Sequence, residues 1–384
     1  MEYRWTHPTN AIIGVTSRCN YNCAYCFQGT KANIDVKLDN ILVTLQYIVE
    51  NRQELGYTDD QPSTIAFYGG EPLLQKKLIR NVLEAYPTEK YPYFYYCITT
   101  NGHLLDEEFI ALCLEHQVRL IISYDGLFST GPKSGSNTGR EWLKYLGAIH
   151  YPYYSISVVV EEQNLSALSA NIYDMANNLR CPMVTEISLD IKRITKELED
   201  KYLKILWDIK EDIAAKGWPF IFLPCRPAYE KYNPCDCPGG MWPYFLHPNG
   251  EYTLGISTFA KDTTEYKKVF GSTANRQLDE QKLQNYLNMM VESERFCDDC
   301  DSTYSRCEQK IAGGRDYSIC RKNYMFGASI PVMPLTRESH FITAKQYAPR
   351  LGHYREMPFD PVMMQIGTDQ NTNNEERGEE SDRL

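Results

Sequence analysis

The sequence predicts an α/β fold: a partial (β/α)6 TIM-like barrel followed by a smaller C-terminal cysteine-rich domain. Three observations carry that expectation. Short apolar runs alternate with longer amphipathic ones through the first half of the chain, turn-forming and polar residues gather just after those runs, and the cysteines concentrate near the two ends of the globular part.

The strand-like runs are Ala11–Thr16, Thr64–Tyr68, Tyr93–Thr99, Leu120–Tyr124, Tyr154–Val160 and Met183–Leu189. They are short, rich in β-branched and aromatic residues, and bounded by turn formers. Between them, Asp39–Leu55, Leu73–Ala85, Asp106–His116, Thr138–Ile149 and Leu165–Leu179 carry apolar residues at helical spacing. Near-continuous apolar strands separated by periodic helices predict parallel β/α units with the sheet covered by helices. Six units do not complete an eight-fold barrel. A partial barrel or an open α/β sheet fits better.

Ligands of parallel α/β folds bind beyond the C-terminal ends of the strands. The unusual residues fall there: CNYNCAYC (Cys19–Cys26) after the first strand, GGEP (Gly69–Pro72) after the second, TTNG (Thr99–Gly102) after the third and SYDG (Ser123–Gly126) after the fourth. Downstream, a helical stretch over Thr195–Lys216 bridges to a region richer in Cys, Pro and Gly. There YFLHPNGEYTL alternates around a Pro-Asn-Gly turn, as a hairpin does, and a further helix is expected over Asn275–Glu294. The expected organisation is a barrel over 1–194, a bridging helix over 195–224 and a cysteine-rich domain over 225–330. A Pro-broken extension over 331–367 and an acidic tail over 368–384 complete it. With six acids, two arginines and almost nothing apolar, the tail cannot bury enough surface to order itself.

Composition excludes several classes. The chain has 384 residues, 43% hydrophobic and 23% charged, which is globular. It has no apolar run long enough to span a bilayer. The start, MEYRWTHPTN, lacks the basic and apolar segments of a secretory signal, so a cytoplasmic location is expected. A net charge of −10, with no basic, aromatic-interleaved patch, argues against a nucleic-acid partner. Seven histidines show no ligand spacing.

The chain has 13 cysteines, and in a reducing compartment clustered cysteines bind metal more often than they pair. Cys97, Cys113 and Cys181 stand alone and read as small core residues. Cys19, Cys23 and Cys26 share one loop, where three thiolates can reach three corners of an iron–sulfur cubane and leave the fourth iron open. Zinc is the alternative, but a structural zinc site calls for a fourth ligand.

Cys-x3-Cys-x-aromatic-Cys, with Tyr25 as the aromatic, resembles the signature of the radical S-adenosylmethionine (SAM) superfamily. Gly69, Gly70, Glu71 and Pro72 resemble that family's methionine-binding motif, with glycines for close backbone approach and Glu71 to hold an ammonium group. Ser123 and Asp125 resemble residues placed near the ribose or methionine of SAM; a capped Asp-Gly turn is the plainer reading, as it is for TTNG. The resemblance implies a SAM-binding [4Fe–4S] cluster on Cys19, Cys23 and Cys26. It also implies one-electron cleavage of SAM to a 5′-deoxyadenosyl radical, and flavodoxin or ferredoxin as electron donor.

Cys297-x2-Cys300-x6-Cys307-x12-Cys320 resembles the SPASM extension, which carries auxiliary [4Fe–4S] clusters in anaerobic sulfatase maturases and ribosomal-peptide maturases. The match is degenerate. Gly250 is followed by Gly255 where a cysteine is usual, and Cys307 by Ile311. Both losses fall on one auxiliary site, beside which Cys225, Cys235 and Cys237 remain as a candidate second set. Gly255 and Ile256 stand where a sulfatase maturase carries its proposed Asp base, which counts against that activity. The resemblance implies a peptide or protein substrate for hydrogen abstraction, giving a cross-link, thioether or epimer. Only 18 residues precede Cys19, so any leader peptide is expected to be recognised by a separate protein or by the exposed sheet and tail. The alternatives are a radical SAM enzyme for a small molecule, a glycyl-radical activase, and a zinc-binding interaction protein. No acid–base residue is legible, and most of the 29 tyrosines are expected on strand faces and interfaces.

Overall fold

A computed structural model describes residues 9–26, 28, 33–59, 63–133, 138–181, 183–190, 196–216, 221–222, 244–254, 269, 271–274, 279 and 281. Parallel strands β1 (Ala11–Thr16), β2 (Ser63–Gly69), β3 (Phe94–Thr100), β4 (Arg119–Ser123), β5 (Tyr154–Glu161) and β6 (Met183–Asp190) pair in chain order. Helices α1 (Leu38–Glu54), α2 (Lys76–Ala85), α3 (Glu107–Glu115), α4 (Thr138–Ala148) and α5 (Leu168–Asn177) make the crossovers, and α6 (Lys196–Lys216) follows β6. Two-residue β7 (Ile221–Phe222) pairs with β6. This is the expected partial (β/α)6 barrel. Each strand lies within about one residue of its sequence-predicted span.

The second and fifth helical stretches begin as 3-10 turns, Pro72–Gln75 and Glu162–Ala167, before α2 and α5. In the first, Pro at the opening position supplies a fixed φ and the Glu71 carboxylate caps the Leu73 N–H. The α3 start is capped in the same manner by Asp106, which accepts from the Phe109 N–H at 2.7 Å.

The outer faces hold the core. Ile41, Leu45 and Ile48 of α1 and Ile79, Val82 and Leu83 of α2 join Ile65 and Phe67 of β2 in one buried cluster. Full burial of each such side chain contributes about 1.5–3 kcal/mol. Burial is continuous in β1, whereas β2 and β4 alternate between buried and half-buried residues. A barrel that stops at six strands leaves its concave face partly open, and Thr64, Ala66, Arg119 and Ser123 lie on the side away from the helices. Cys97, Cys113 and Cys181 are buried, as lone cysteines are expected to be.

The hairpin is real: β8 (Tyr244–Leu246) and β9 (Glu251–Leu254) are antiparallel around the His247–Gly250 turn, and β10 (Gly271–Ser272) pairs with β9. Because β8 lies parallel to β1, the His247–Gly250 turn stands at the same end of the sheet as the Cys19–Cys26 loop. Gly250 has φ +88, and a Cβ there would meet Asn40 of α1 and Thr273 at 2.8 Å, so only glycine closes this corner. The helical stretch expected over Thr195–Lys216 is α6. The expected helix over Asn275–Glu294, the 331–367 extension and the acidic tail lie outside the described residues, apart from Asp279 and Gln281.

Candidate functional site

The loop after β1 is closed at its base. Thr16 Oγ1 donates to Asp35 at 2.5 Å, Arg18 grips the same carboxylate through Nε at 3.0 Å and Nη2 at 2.6 Å, and the Ser17 N–H bonds the Ile34 carbonyl at 2.9 Å. Between these anchors the three cysteines are displayed. The Cys26 N–H donates to the Cys23 carbonyl at 3.1 Å, a tight turn that sets two thiols close in the chain. The Tyr21 N–H points at Cys19 Sγ at 3.4 Å, a contact that favours a thiolate. Cys23 is buried, and burial pushes its thiol above the ordinary range while the Lys133 ammonium draws it back down.

Three contacts fix the loop across the barrel mouth. Asn101 Nδ2, past the end of β3, donates to Asn20 Oδ1 at 2.8 Å. The Tyr21 hydroxyl meets His103 Nδ1 at 3.2 Å, with the two rings edge to face. The Tyr25 hydroxyl donates to Asp125 Oδ2 beyond β4, and Lys133 Nζ stands 5.2 Å from the Tyr25 ring centre. The cysteine loop is thus oriented by the ends of β3 and β4 as well as by its own strand.

Gly69 and Gly70 admit a close approach of backbone. A Cβ on Gly70 would lie 1.9 Å from the Arg18 carbonyl oxygen, and one on Gly69 2.4 Å from that of Thr16. The Gly70 and Glu71 N–H groups donate to Thr16 and Arg18, each at 2.8 Å. The glycines let the end of β2 press against the base of the cysteine loop; what they admit is backbone. Pro72 is buried and opens the 3-10 turn.

Glu71 is 1% exposed, and its carboxylate turns into the fold. Oε1 accepts from the Leu73 N–H at 3.0 Å and the Thr100 hydroxyl at 2.6 Å, and Oε2 from the Asn101 N–H at 2.8 Å. Burial raises its pKa and these donors oppose the rise. These three bonds engage both oxygens of the carboxylate that the resemblance assigns to an ammonium group. Glu71 braces the ends of β2 and β3, because three inward donors satisfy a buried carboxylate better than an open mouth does.

Asp125 is 2% exposed with both oxygens engaged, Oδ2 by Tyr25 and Oδ1 by the Val159 N–H at 3.0 Å. Burial raises its pKa; Lys133, Tyr25 and Val159 counter it. The carboxylate expected near the ribose is engaged in a clasp with the cysteine loop. Ser123 is half-buried and pairs in register with Ser157 of β5. Sequence reasoning named Tyr25 and Asp125 separately and missed their contact, and it missed Asn20, Tyr21, His103 and Lys133 altogether. TTNG, which holds Asn101 and adjoins His103, is the sequence signal nearest to them.

The three cysteines fit a cubane cluster: they share one braced loop, one sulfur receives a backbone N–H, and all are thiols. Among the described residues, no three His, Cys, Asp or Glu side chains gather around a single-ion site. Cys225, Cys235, Cys237, Cys297, Cys300, Cys307 and Cys320 lie outside the described residues.

Residues 13–161 match the family model of the Radical SAM superfamily. The chain carries a radical SAM domain. Members of this superfamily are enzymes that use a [4Fe–4S] cluster and SAM. The protein MJ0907 of Methanocaldococcus jannaschii is 28% identical over 208 residues, covering 52% of this chain and 67% of that protein. The radical SAM cyclopropyl synthase TigE of Paramaledivibacter caminithermalis is 27% identical over 189 residues, covering 46% of this chain and 39% of TigE. In fold, the chain is similar to anSMEcpe with bound AdoMet and Cp18Cys peptide. The TM-score is 0.57 at 15% identity, over 83% of this chain and 98% of that one. Among the described residues no helix is long and apolar enough to cross a membrane.

Proposed function

We propose that this radical SAM enzyme abstracts hydrogen from a peptide substrate held at the open end of the partial barrel. Cys19, Cys23 and Cys26 would hold a [4Fe–4S] cluster, which together with SAM and an external one-electron donor would supply the radical chemistry for hydrogen abstraction. The chain's own part is placement and exclusion of water. The Arg18–Asp35 pair, the Asn20–Asn101 bond and the Tyr25–Asp125 clasp fix the loop that bears the thiols, and the bonds Glu71 accepts fix the end of β3 against it.

The observation that carries the peptide reading is the extent of the fold likeness. It runs far past residues 13–161 to 83% of the chain, onto a protein whose structure holds AdoMet and a peptide together. The β8–β9 hairpin supports it, since it seats the start of the downstream region at the edge of β1, beside the cysteine loop. In this reading Cys297, Cys300, Cys307 and Cys320 carry one auxiliary cluster, a flavodoxin or ferredoxin delivers electrons, and the reducing cytoplasm is the compartment. Cys225, Cys235 and Cys237 stand as a candidate second auxiliary set.

Anaerobic reconstitution tests the reading. About eight irons per chain are expected, against about four without an auxiliary cluster. With dithionite and SAM the enzyme releases 5′-deoxyadenosine, and the triple Cys19, Cys23 and Cys26→Ala protein releases none. Candidate peptides should lose about two mass units, the signature of net two-hydrogen removal. Turnover of a small molecule with every peptide unchanged would refute the substrate class and leave the cluster assignment standing.

A further inference from the structure

After β4, residues 125–130 are held by buried asparagines of α5 and of the 3-10 turn before it. Asn171 of α5 is 1% exposed. Its Oδ1 accepts from the Phe128 N–H at 2.8 Å, and its Nδ2 donates to Ser129 Oγ at 2.8 Å and to the Asp125 carbonyl at 3.3 Å. Asn164, 5% exposed, accepts from both the N–H and the hydroxyl of Thr130, at 3.2 and 3.3 Å. Ser129 Oγ donates back to the Asp125 carbonyl at 2.7 Å. Gly126 has φ +108, and a Cβ there would sit 2.1 Å from Asn171 Cγ, so glycine is what admits the amide.

On this fixed backbone Phe128 is 57% exposed, the most exposed large hydrophobic residue among the described ones. The buried amides satisfy the loop's backbone N–H groups and fix its course, and an apolar ring gains nothing from water. A fixed aromatic ring does suit recognition, because little conformational freedom remains to be lost on contact. The position agrees. The loop starts at Asp125, which clasps Tyr25 of the cysteine loop, and three residues reach at most about 11 Å. From Gly126 to Pro132 the loop bears no charged side chain.

We infer that Phe128 is a specificity-determining residue, the preset docking point for an apolar side chain of the peptide that enters the barrel mouth. This rests on the peptide reading above. The full chain, anaerobically reconstituted with SAM present, is exposed to a pool of synthetic decapeptides randomised at every position, and captured peptides are identified by mass spectrometry. Wild-type protein should enrich Phe, Leu, Ile and Val at one position, and Phe128→Ser should lose that enrichment about tenfold, the scale of one modest aromatic contact. Phe128→Trp should restore it, and iron content and melting temperature should match wild type in both variants. With p-benzoylphenylalanine in place of Phe128, irradiation should link captured peptide to position 128. Equal enrichment in Phe128→Ser, or cross-links only to the chain's own residues, overturns the inference and spares the peptide reading. Absence of all peptide capture by wild-type protein that still releases 5′-deoxyadenosine overturns both.

Discussion

Glu71→Gln separates a brace from a ligand. In the native protein Oε1 serves the Leu73 N–H and the Thr100 hydroxyl, and Oε2 serves the Asn101 N–H. Glutamine can keep the first oxygen, but its NH2 then faces the Asn101 N–H, donor against donor. A hydrogen bond to a charged acceptor contributes about 1.5–3 kcal/mol. Glutamine also removes the expense of burying a charge, which offsets part of the loss, so the low end of that range applies. In a domain of about 150–250 residues that lowers the melting temperature by about 3–6 °C. SAM affinity should fall less than about tenfold, since the carboxylate acts only through the position of Asn101 and the loop it holds. Thermal unfolding and equilibrium dialysis of the reconstituted protein measure the two quantities. An unchanged melting temperature with SAM affinity reduced more than about thirtyfold, the scale of losing a buried charge partner, would refute the bracing role.

Two further outcomes are expected. Tyr25→Phe leaves Asp125 Oδ2 buried without its donor, a loss of about 1–3 kcal/mol confined to the clasp. Trypsin should then cleave after Arg18 about tenfold faster, whereas an unchanged rate would show that the clasp does not hold the loop. Asp174→Ala strands Arg140, which is 7% exposed and bonded to that carboxylate through two nitrogens and to the Tyr124 hydroxyl at 3.1 Å. The expected cost is about 3–5 kcal/mol by urea unfolding. Burial alone would raise the Asp174 pKa, but the Arg140 and Asn178 hydrogen bonds hold it below the ordinary aspartate range. A depressed carboxyl stabilises the fold above its unfolded-state pKa and loses that contribution as pH falls through the folded-state value. The gap between wild type and Asp174→Asn should therefore be full at neutral pH and close in acid below the ordinary aspartate range; a gap independent of pH would contradict the pair's role.

The strands were legible because each barrel strand is a short β-branched or aromatic run ended by a Gly, Asn or Asp turn, and the helices because Ile41, Leu45 and Ile48 or Ile79, Val82 and Leu83 recur on one face. Other features leave no local trace. β7 and β10 are two residues each, too short for any period. The place of β8 beside β1 is a pairing across more than two hundred residues, set by which edge is open and not by its own sequence. At the site, residue type was readable and direction was not. The sequence showed that Glu71 is an acid beside two glycines, but whether it faces the mouth or the fold depends on Thr100 and Asn101, donors supplied by the next strand. Asn20, His103 and Lys133 are polar loop residues, which ordinarily face water and give no periodic signal.

This difference has a physical source. Ligand identity for an iron–sulfur cluster is a matter of sulfur chemistry, and a loop of three thiols announces it wherever it stands. Ligand orientation is a matter of packing, and here it is spread over three strand ends. Asn101 is the junction: its N–H holds Glu71, its Nδ2 holds Asn20, and its Oδ1 accepts from the His103 N–H at 3.0 Å while the His103 ring meets Tyr21. A change of the Glu71 side chain reaches the cysteine loop through its hydrogen bond to Asn101, whereas a change at Asp125 reaches it through Tyr25. These two hydrogen-bonded routes share no residue, and only the charge of Lys133 acts on both carboxylates. Substitutions on one route and on the other should combine additively in stability, while two on the same route should not. The cysteine loop is positioned from outside itself, by neighbours that a search for cysteine spacing passes over.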